Sequence, residues 1–177
     1  MSKPTSAVAE IREARSDEWV ALGELTARAY AELPGMPGPD LAPEYYAELR
    51  DVAGRAVRPG VTILVAAEAD GGLLGGVTFT TEMKSYGVEA GASELDTAGV
   101  RMLAVDSRAR GRSLGRGLTE TCVARARAAG RSQVVLHTMT PMQVARGMYE
   151  RMGFRAAPEL DFDPAPGFTV MGFRLRL

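Results

Sequence analysis

A short stretch rich in arginine and glycine carries the strongest chemical signal in the chain. It consists of Arg110-Gly111-Arg112-Ser113-Leu114-Gly115-Arg116 and lies between an apolar segment ending at Val105 and a helical pattern beginning at Leu114. A turn at the start of a helix exposes backbone N–H groups at the positive end of the helix dipole. Small residues let that backbone approach a ligand closely, and arginines add charge and paired donors. The stretch therefore predicts a site for a phosphate or a pyrophosphate.

Other interpretations of this stretch differ in what they require. A P-loop requires a Gly-Lys-Ser/Thr ending, which the stretch lacks. A Rossmann dinucleotide loop requires an acidic residue about 20 residues further on, where this chain has Val135-Leu136-His137. A strand-to-helix turn that binds nothing would be preferred if the turn stood alone, and a run of arginines is commonly a solvated face.

The stretch does not stand alone, because it resembles the acetyl-CoA signature of the GNAT acetyltransferase family, Arg/Gln-x-x-Gly-x-Gly/Ala. Residues 112–117 match this formula literally, whereas residues 110–115 match it with Ser113 where glycine is usual. The second register is favoured because it keeps the spacing from Val105 and makes Leu114 the first buried residue of the helix. Residues 145–154, Ala-Arg-Gly-Met-Tyr-Glu-Arg-Met-Gly-Phe, resemble the Ala-x-x-x-Tyr-Glu-x-x-Gly-Phe motif that closes the family's core.

The resemblance implies an acetyl-CoA-dependent N-acetyltransferase with a GNAT-like fold. Such an enzyme moves the acetyl group to a primary amine by direct attack in a ternary complex and releases coenzyme A. We expect the acceptor to be a small molecule. Two alternatives remain: a non-catalytic sensor of this fold that binds acyl-CoA, and an N-acetyltransferase that acts on a protein or peptide. A tyrosine near the departing sulfur favours an enzyme, and the uncertain general base favours the sensor.

The resemblance also implies roles for individual residues. The pantetheine arm of the cofactor is expected along a bulged strand at Leu103, Ala104 and Val105. Tyr149 matches the tyrosine that lies near the departing sulfur as a general acid. A phenol with a pKa of about 10 can donate a proton to a thiolate as it forms, since a thiol has a pKa of about 8.5. The alternative is a packed ring whose hydroxyl meets a carbonyl. The pyrophosphate is expected at Arg110, Gly111, Arg112, Ser113, Leu114, Gly115 and Arg116.

The general base and the acceptor pocket are less sharply specified. Glu94 and Asp96 are candidates for the base because the family often places a carboxylate in or just before the bulged strand. His137 has a pKa suited to a base or a proton relay. Each has a plain alternative: a surface charge for the two acids, and a core-edge ring bonded to a backbone carbonyl for His137. A base acting through water is a further option. In this family the two early helices shape the acceptor pocket, so the candidate walls are Tyr30, Tyr45 and Tyr46.

The elements that must position these residues follow from periodicity and turn residues. Their order, β-α-α-β-β-β-α-β-α-β-β, predicts an α/β (α+β) domain over residues 8–177, after a flexible N-terminus of residues 1–7. We expect a mixed, mostly antiparallel twisted sheet flanked by helices. The predicted strands are 8–14, 61–67, 73–81, 99–105, 134–138, 154–160 and 168–175, and the predicted helices are 17–33, 43–57, 114–129 and one from Thr140 to Gly153.

Composition argues against several other classes. The formal net charge is -1, which argues against a nucleic-acid partner. One cysteine, Cys122, permits no intrachain disulfide, and one cysteine with one histidine is too small a set for a metal site. No apolar stretch reaches membrane-spanning length, and the N-terminus lacks the apolar core of a signal peptide. We therefore expect a cytoplasmic protein without a membrane partner, and family analogy allows a homodimer.

Overall fold

The computed structural model describes residues 9–86 and 96–177. Within these ranges eight strands form one sheet, and helices lie against both of its faces. The strands are β1 (Glu10–Glu13), β2 (Val61–Ala67), β3 (Leu73–Thr80), β4 (Thr97–Val105), β5 (Gln133–Met139), β6 (Arg155–Ala156), β7 (Phe162–Ala165) and β8 (Phe168–Arg176). The helices are α1 (Trp19–Ala31), α2 (Pro43–Arg50), α3 (Val52–Ala56), α4 (Leu114–Ala128) and α5 (Gln143–Arg151).

The sheet is antiparallel except at its centre. Its order is β1-β2-β3-β4-β5-β8-β6, and β7 pairs with the first part of β8. β4 and β5 run parallel, with α4 in the connection between them. Their pairing ends at Val100 and Leu136, although β4 continues to Val105 and β5 continues to Met139. The two central strands therefore separate, and we call the gap beyond Val100 and Leu136 the fork.

Alternation of side chains along the central strands divides the core into two layers. Val100 and Leu136 belong to the layer that also contains α4 and α5 side chains, among them Leu118. Ala104 and Met139 belong to the layer beneath α1 and α2. Full burial of one leucine side chain stabilises a fold by roughly 2–3 kcal/mol, so both layers support the sheet in which the fork is formed.

This architecture confirms the predicted fold class. The β2–β3 hairpin, β4, α4 and β5 all begin and end within two residues of their predicted positions. These are the elements with the clearest sequence periodicity, and they are also the elements that frame the fork.

The single helix predicted over residues 43–57 is wrong, because the chain forms α2 and α3 there. Asp51 interrupts the helix with φ -77° and ψ 63°. Its carboxylate accepts a hydrogen bond from the Gly54 N–H at 2.9 Å and thereby caps α3. A short acidic side chain that binds a nearby backbone N–H competes with continuation of a helix.

The C-terminal strands also differ from the prediction. The strand predicted at 154–160 is reduced to β6, because a short 3-10 helix over Pro158–Leu160 follows it. The proline-containing segment predicted as a connection instead forms β7, which pairs back onto β8. Gly167, with φ 78°, supplies the left-handed residue of the turn between them.

Helix starts were predicted less accurately than helix interiors. A 3-10 turn over Ser16–Glu18 precedes α1, which begins at Trp19, two residues after its predicted start. The Glu18 carboxylate accepts the Arg15 N–H at 2.7 Å in this turn. α5 begins at Gln143 rather than Thr140, and the Gln143 side chain bonds back to the Thr140 carbonyl at 2.9 Å.

Candidate active site

A β-bulge in β4 borders the fork. Arg101 pairs with Thr78 and Ala104 pairs with Gly76, so three steps along β4 oppose two steps along β3. Met102 has φ 52° within this bulge, a left-handed value that is uncommon for a residue with a Cβ. The bulge expected from the family resemblance is therefore present.

The three residues expected to contact the pantetheine arm lie on this part of β4. Leu103 and Val105 pack toward the α4 layer, and Ala104 packs toward the α1 layer. Backbone N–H and C=O groups of a strand point within the plane of the sheet. Because the pairing with β5 has ended, the backbone of residues 103–105 faces the fork on that side.

The loop that joins β4 to α4 has two left-handed residues. Gly111 has φ 79° and Ser113 has φ 59°. Ser113 occupies the N-cap position of α4, and no described side chain caps this helix end. The first hydrogen bond of the helix is donated by the Gly117 N–H to the Ser113 carbonyl at 3.0 Å. The first amides of α4, like those of any helix, have no intrahelical acceptor and suit an anion.

This geometry favours the register that the sequence analysis preferred. α4 begins at Leu114, whose side chain is buried. Ser113 lies where the family formula has glycine, and it adopts a backbone conformation that glycine enters more easily. The substitution therefore leaves a left-handed residue at this position of the loop.

Arginine side chains of the loop make ion pairs at the surface, of which that of Arg112 is part-buried. Nη2 of Arg110 lies 3.4 Å from Oε2 of Glu32, and Nε of Arg116 lies 2.7 Å from Oε1 of Glu120. Arg112 lies 3.1 Å from Glu68, at the end of the β2 segment. Exposed pairs such as those of Arg110 and Arg116 contribute at most about 1 kcal/mol, so a phosphate could compete for these two guanidinium groups at little cost.

A buried carboxylate anchors the start of the loop. Both carboxylate oxygens of Asp106 accept from Arg108, including its N–H, at 2.9 Å, and Arg28 of α1 donates to Asp106 at 3.2 Å. These bonds, Arg108 foremost, hold the pKa of Asp106 well below its ordinary value. The carboxylate therefore stays ionised and ties the loop to α1.

Tyr149 extends from α5 into the core beside the fork. Its side chain is buried, and its ring centre lies 5.6 Å from that of Phe154. Among the described residues its hydroxyl has no hydrogen-bond partner, so the packed alternative with a carbonyl acceptor is not what the structure contains. Burial raises the pKa of Tyr149, and the nearby phenol of Tyr30 raises it further. Tyr149 is therefore a neutral donor over the physiological pH range.

The tyrosines of the two early helices have different environments. Tyr30 lies in the layer beneath α1, with its ring centre 6.2 Å from that of Tyr45. Tyr46 is 1% exposed, and its hydroxyl donates to the Pro37 carbonyl at 3.0 Å. Tyr46 therefore packs the α1–α2 connection, and Tyr45 is the neighbour of Tyr30. The sequence analysis named all three tyrosines as candidate walls of the acceptor pocket, and that role stays a prediction.

His137 is a ring at the edge of the core bonded to a backbone carbonyl, which was the alternative to a catalytic role. Its Nε2 lies 3.1 Å from the Leu160 carbonyl, and its ring meets Phe162 edge-on at 5.5 Å. Burial, followed by the charge of Arg101, lowers the pKa of His137 to about 4. The ring is neutral near pH 7, so its Nε2–H donates to the carbonyl. A base with so low a pKa is a weak acceptor for the proton of an ammonium group.

Of the two acidic candidates for the base, Asp96 lies away from the bulge. Asp96 is exposed, and its carbonyl accepts the Ser132 N–H at 2.9 Å. It precedes β4 at the end opposite the bulge, about 17 Å along the strand at 3.3 Å per residue. Asp96 is therefore not placed to take a proton from an amine in the fork. Glu94 lies outside the described residues.

Comparison with known sequences decides the family. The sequence model of the Acetyltransferase (GNAT) family matches residues 19–154, a range that contains the fork, the loop and Tyr149. This chain belongs to the GNAT acetyltransferase family. Acetyl-CoA is the acyl donor of GNAT enzymes, which confirms the predicted cofactor. No curated protein sequence matches the chain.

Solved structures of GNAT proteins share the fold. A GNAT acetyltransferase from Staphylococcus aureus Mu50 is 15% identical, with a TM-score of 0.73 over 96% of this chain and 99% of the other. A GCN5-related N-acetyltransferase from Kribbella flavida is 21% identical, with a TM-score of 0.70 over 96% and 98%. A Salmonella typhimurium protein solved with acetyl-CoA is 19% identical, with a TM-score of 0.63 over 96% and 94%.

The fork of this GNAT chain suits an elongated polar ligand. Thr138 is 1% exposed on β5 just beyond the last parallel pair, and its Oγ1 has no hydrogen-bond partner among the described residues. An unpartnered buried hydroxyl is costly, and it provides a donor and an acceptor at the fork. Together with the backbone of β4 and the uncapped start of α4, it fits an amide-containing arm that ends in a diphosphate.

The sequence analysis missed Thr138. Its local sequence pattern is unremarkable, and its importance comes from where β4 and β5 separate. The only sequence signal was strand parity, which places residues of one face two apart.

In the described ranges, no group of three or more His, Cys, Asp or Glu side chains is arranged to hold a metal ion, and every helix is too short or too polar to cross a bilayer.

Proposed function

We propose that this GNAT protein transfers the acetyl group of acetyl-CoA to the primary amine of a small molecule, by direct attack within a ternary complex. The observation that carries the proposal is the continuity of the fork with the loop. The bulged end of β4 leads directly to Gly111, Ser113 and the uncapped start of α4. An extended ligand with a diphosphate at one end and a reactive group at the other matches this path.

In the proposed reaction the amine nitrogen attacks the carbonyl carbon of the thioester. The C–N bond forms and the C–S bond breaks, the nitrogen gives up a proton, and the departing sulfur takes one. Tyr149 supplies the proton or a hydrogen bond to that sulfur, because its buried phenol stays protonated. Cys122 takes no part as a nucleophile, because burial raises the pKa of its thiol to about 12.

A small acceptor is favoured over a peptide by the connection between α1 and α2. A Cβ on Gly35 would lie 3.9 Å from Cγ of Pro141, so this connection approaches the β5–α5 loop. Met36 and Met142, one from each of these segments, pack against the same layer. The bond from Tyr46 to Pro37 holds the connection in place. A peptide acceptor would need an open groove across this side of the fork.

The direct test measures thiol release from acetyl-CoA in the presence of a panel of small amines and short peptides. We expect release with at least one small amine and little release with peptides. Release only with peptides would reverse the choice of acceptor. Binding of coenzyme A without release for any amine would instead favour the sensor.

The loop is tested separately by its arginines. Arg110→Ala should weaken coenzyme A binding severalfold, with a shallower salt dependence, because a guanidinium near the diphosphate is removed. Arg125→Ala is the matched control, since Arg125 lies in the last turn of α4 and pairs with Glu13 at 2.7 Å. Equal affinity of the two variants would place the diphosphate elsewhere.

A further inference from the structure

Three arginines lie on one face of the sheet, at the end remote from the fork. Arg155 of β6 is the direct partner of Arg174 on β8, and Arg176 follows two residues later on β8. Arg176 pairs with Gln133 at the start of β5, whereas the fork lies beyond Leu136. Opposed residues of an antiparallel pair share a face, as do residues two apart on one strand, so neighbouring Cβ atoms of the three are about 5–7 Å apart.

The arginine face is the one turned away from α4 and α5. Leu175 lies between the two arginines of β8 and packs into the core layer of α4 and α5. Successive side chains of a strand point to opposite faces, so Arg174 and Arg176 point the other way. The residues opposite them on β5 are Val135 and Gln133, which carry no charge. The arginine face therefore has no acidic group at the paired positions of β5 or β6.

One acidic side chain pairs with this set in the described part of the chain. Oε1 of Glu159 lies 2.7 Å from Nη1 of Arg174. Arg155 and Arg176 are exposed, and neither has an ion pair or a side-chain hydrogen bond among the described residues. Nε of Arg174 is buried and also lacks a partner there. Three positive charges thus accompany one negative charge, an excess of two.

This arrangement is unfavourable for the protein without a ligand. Like charges directly opposite each other on paired strands destabilise the pair, as Arg155 and Arg174 do here. A buried donor without an acceptor, such as Nε of Arg174, adds a further cost. A bound anion would reduce the repulsion, so the arrangement favours a site that takes a negatively charged group.

The three arginines line one pocket. Its volume is about 350 Å³, and Gly153, which follows α5, contributes to its wall. Small-molecule sites typically measure about 300–1,000 Å³. The pocket therefore has room for a molecule larger than a single inorganic ion.

We propose that this pocket binds the phosphate group of a small phosphorylated molecule, with Arg155, Arg174 and Arg176 as its ligands. A phosphate monoester carries a charge of about −1.5 to −2 at pH 7, which matches the excess of two positive charges, whereas a carboxylate supplies one negative charge. Guanidinium groups bind phosphate oxygens through paired hydrogen bonds. The site is separate from the loop proposed for the diphosphate, and it does not depend on the proposed acetyl transfer.

The binding test is isothermal titration of the full chain with phenyl phosphate, inorganic phosphate and benzoate at equal ionic strength and pH 8. Coenzyme A is kept in excess, so that the loop at the start of α4 is not available to the probes. We expect phenyl phosphate to bind with a Kd of about 1 mM or tighter and at least tenfold more tightly than benzoate. Inorganic phosphate should bind more weakly than the ester, because it leaves the rest of the pocket empty.

Charge variants locate the site. Arg155→Gln and Arg176→Gln should each weaken phenyl phosphate binding at least fivefold, because each variant removes one of the proposed ligands. Glu159→Gln should strengthen binding severalfold, since it removes the acidic side chain that competes for Arg174. Arg50→Gln is the matched control, because it also removes one positive charge, from an exposed arginine that pairs with Glu24 at 2.9 Å.

A stability measurement separates lost binding from lost folding. Arg155→Gln should not lower the unfolding temperature of the free protein, because the variant removes a like charge opposite Arg174. A clear fall in that temperature would show that Arg155 has a structural role and would remove the repulsion from the argument.

Each remaining outcome decides one part of the proposal. No binding of phenyl phosphate at about 10 mM, tenfold above a millimolar Kd, overturns the site. Equal binding by Arg155→Gln and Arg50→Gln would mean that the probe responds only to net charge. Inorganic phosphate binding as tightly as the ester would make free phosphate the ligand. Thiol release is not measured in this test, so failure of the acetyl transfer leaves its result unaffected.

Discussion

Gly111 and Ser113 both adopt the left-handed backbone conformation, two residues apart, yet only one of them is a glycine. The left-handed region costs a residue with a Cβ about 1 kcal/mol or more relative to glycine. The loop that we propose for the diphosphate therefore contains one relaxed and one strained position. This difference can be measured because the two positions invite opposite substitutions.

Ser113→Gly should raise the free energy of unfolding by up to about 1 kcal/mol, because glycine adopts the left-handed conformation without steric strain. The greater flexibility of glycine in the unfolded chain offsets part of this gain. Gly111→Ala should lower it by about 1 kcal/mol, since nothing lies within 4 Å of the added Cβ and only the backbone conformation opposes it. Urea denaturation measures both. Destabilisation by Ser113→Gly would mean that the serine has a stabilising role that its backbone does not reveal.

Tyr149→Phe should lower turnover by roughly 100-fold or more, the usual contribution of a proton donor, while leaving coenzyme A affinity nearly unchanged. The matched control is Tyr46→Phe, which also removes one phenol hydroxyl. It should cost about 1 kcal/mol of stability through the lost Pro37 bond, and its effect on turnover should be far smaller than that of Tyr149→Phe, because the Tyr46 hydroxyl is already bonded within the protein. Steady-state kinetics and isothermal titration separate the two effects. Full turnover in Tyr149→Phe would remove the phenol from the reaction.

Thr138→Val should stabilise the free protein or leave its stability unchanged, because the variant removes a buried hydroxyl that has no partner among the described residues. If that hydroxyl contacts the donor substrate, the KM for acetyl-CoA should rise severalfold. Thermal denaturation and kinetics check the two parts. Destabilisation by more than 1 kcal/mol, on the order of a lost hydrogen bond, would show that the hydroxyl is already satisfied within the protein.

The pKa of His137 predicts how stability depends on pH. Burial lowers its pKa to about 4 in the folded protein from the ordinary histidine value of 6.5. The unfolded chain therefore binds more protons between these values, so the contribution of His137 to stability is complete above pH 6.5 and is lost as the pH falls toward 4. NMR titration should give a value well below 6.5. A titration near 6.5 would place the ring in water.

Glu18 loses its contribution in a lower pH range. Its carboxylate accepts from Nη2 and Nη1 of Arg12 at 2.7 and 2.9 Å, and from the Arg15 N–H at 2.7 Å. These bonds, that of Arg12 first, lower the pKa of Glu18 to about 2 from 4.5. Stability from this group is present above pH 4.5 and is lost as the pH falls toward 2. Glu18→Gln should cost on the order of 2 kcal/mol at pH 7 and flatten acid unfolding in that range.

Local sequence was sufficient for the elements and for the identity of the loop. Alternation and helical spacing depend on neighbours in the chain, so β2, β3, α4 and β5 were predicted to within two residues. The loop between Val105 and Leu114 was recognisable for the same reason, since its small residues and arginines are contiguous. Where a side chain competes with the backbone, as Asp51 does between α2 and α3, prediction failed because one hydrogen bond decides the outcome.

Tertiary structure alone decided which residues surround the fork. The end of pairing at Val100 and Leu136 depends on contacts among β3, β4, β5 and β8, which no local pattern contains. That end point leaves the buried Thr138 hydroxyl at the fork without a partner among the described residues, and it leaves Asp96 at the opposite end of β4. The amino-acid sequence determined the elements and the residues that they contain. The grouping of those residues into one site follows from long-range strand pairing and from the two packed layers that support the sheet.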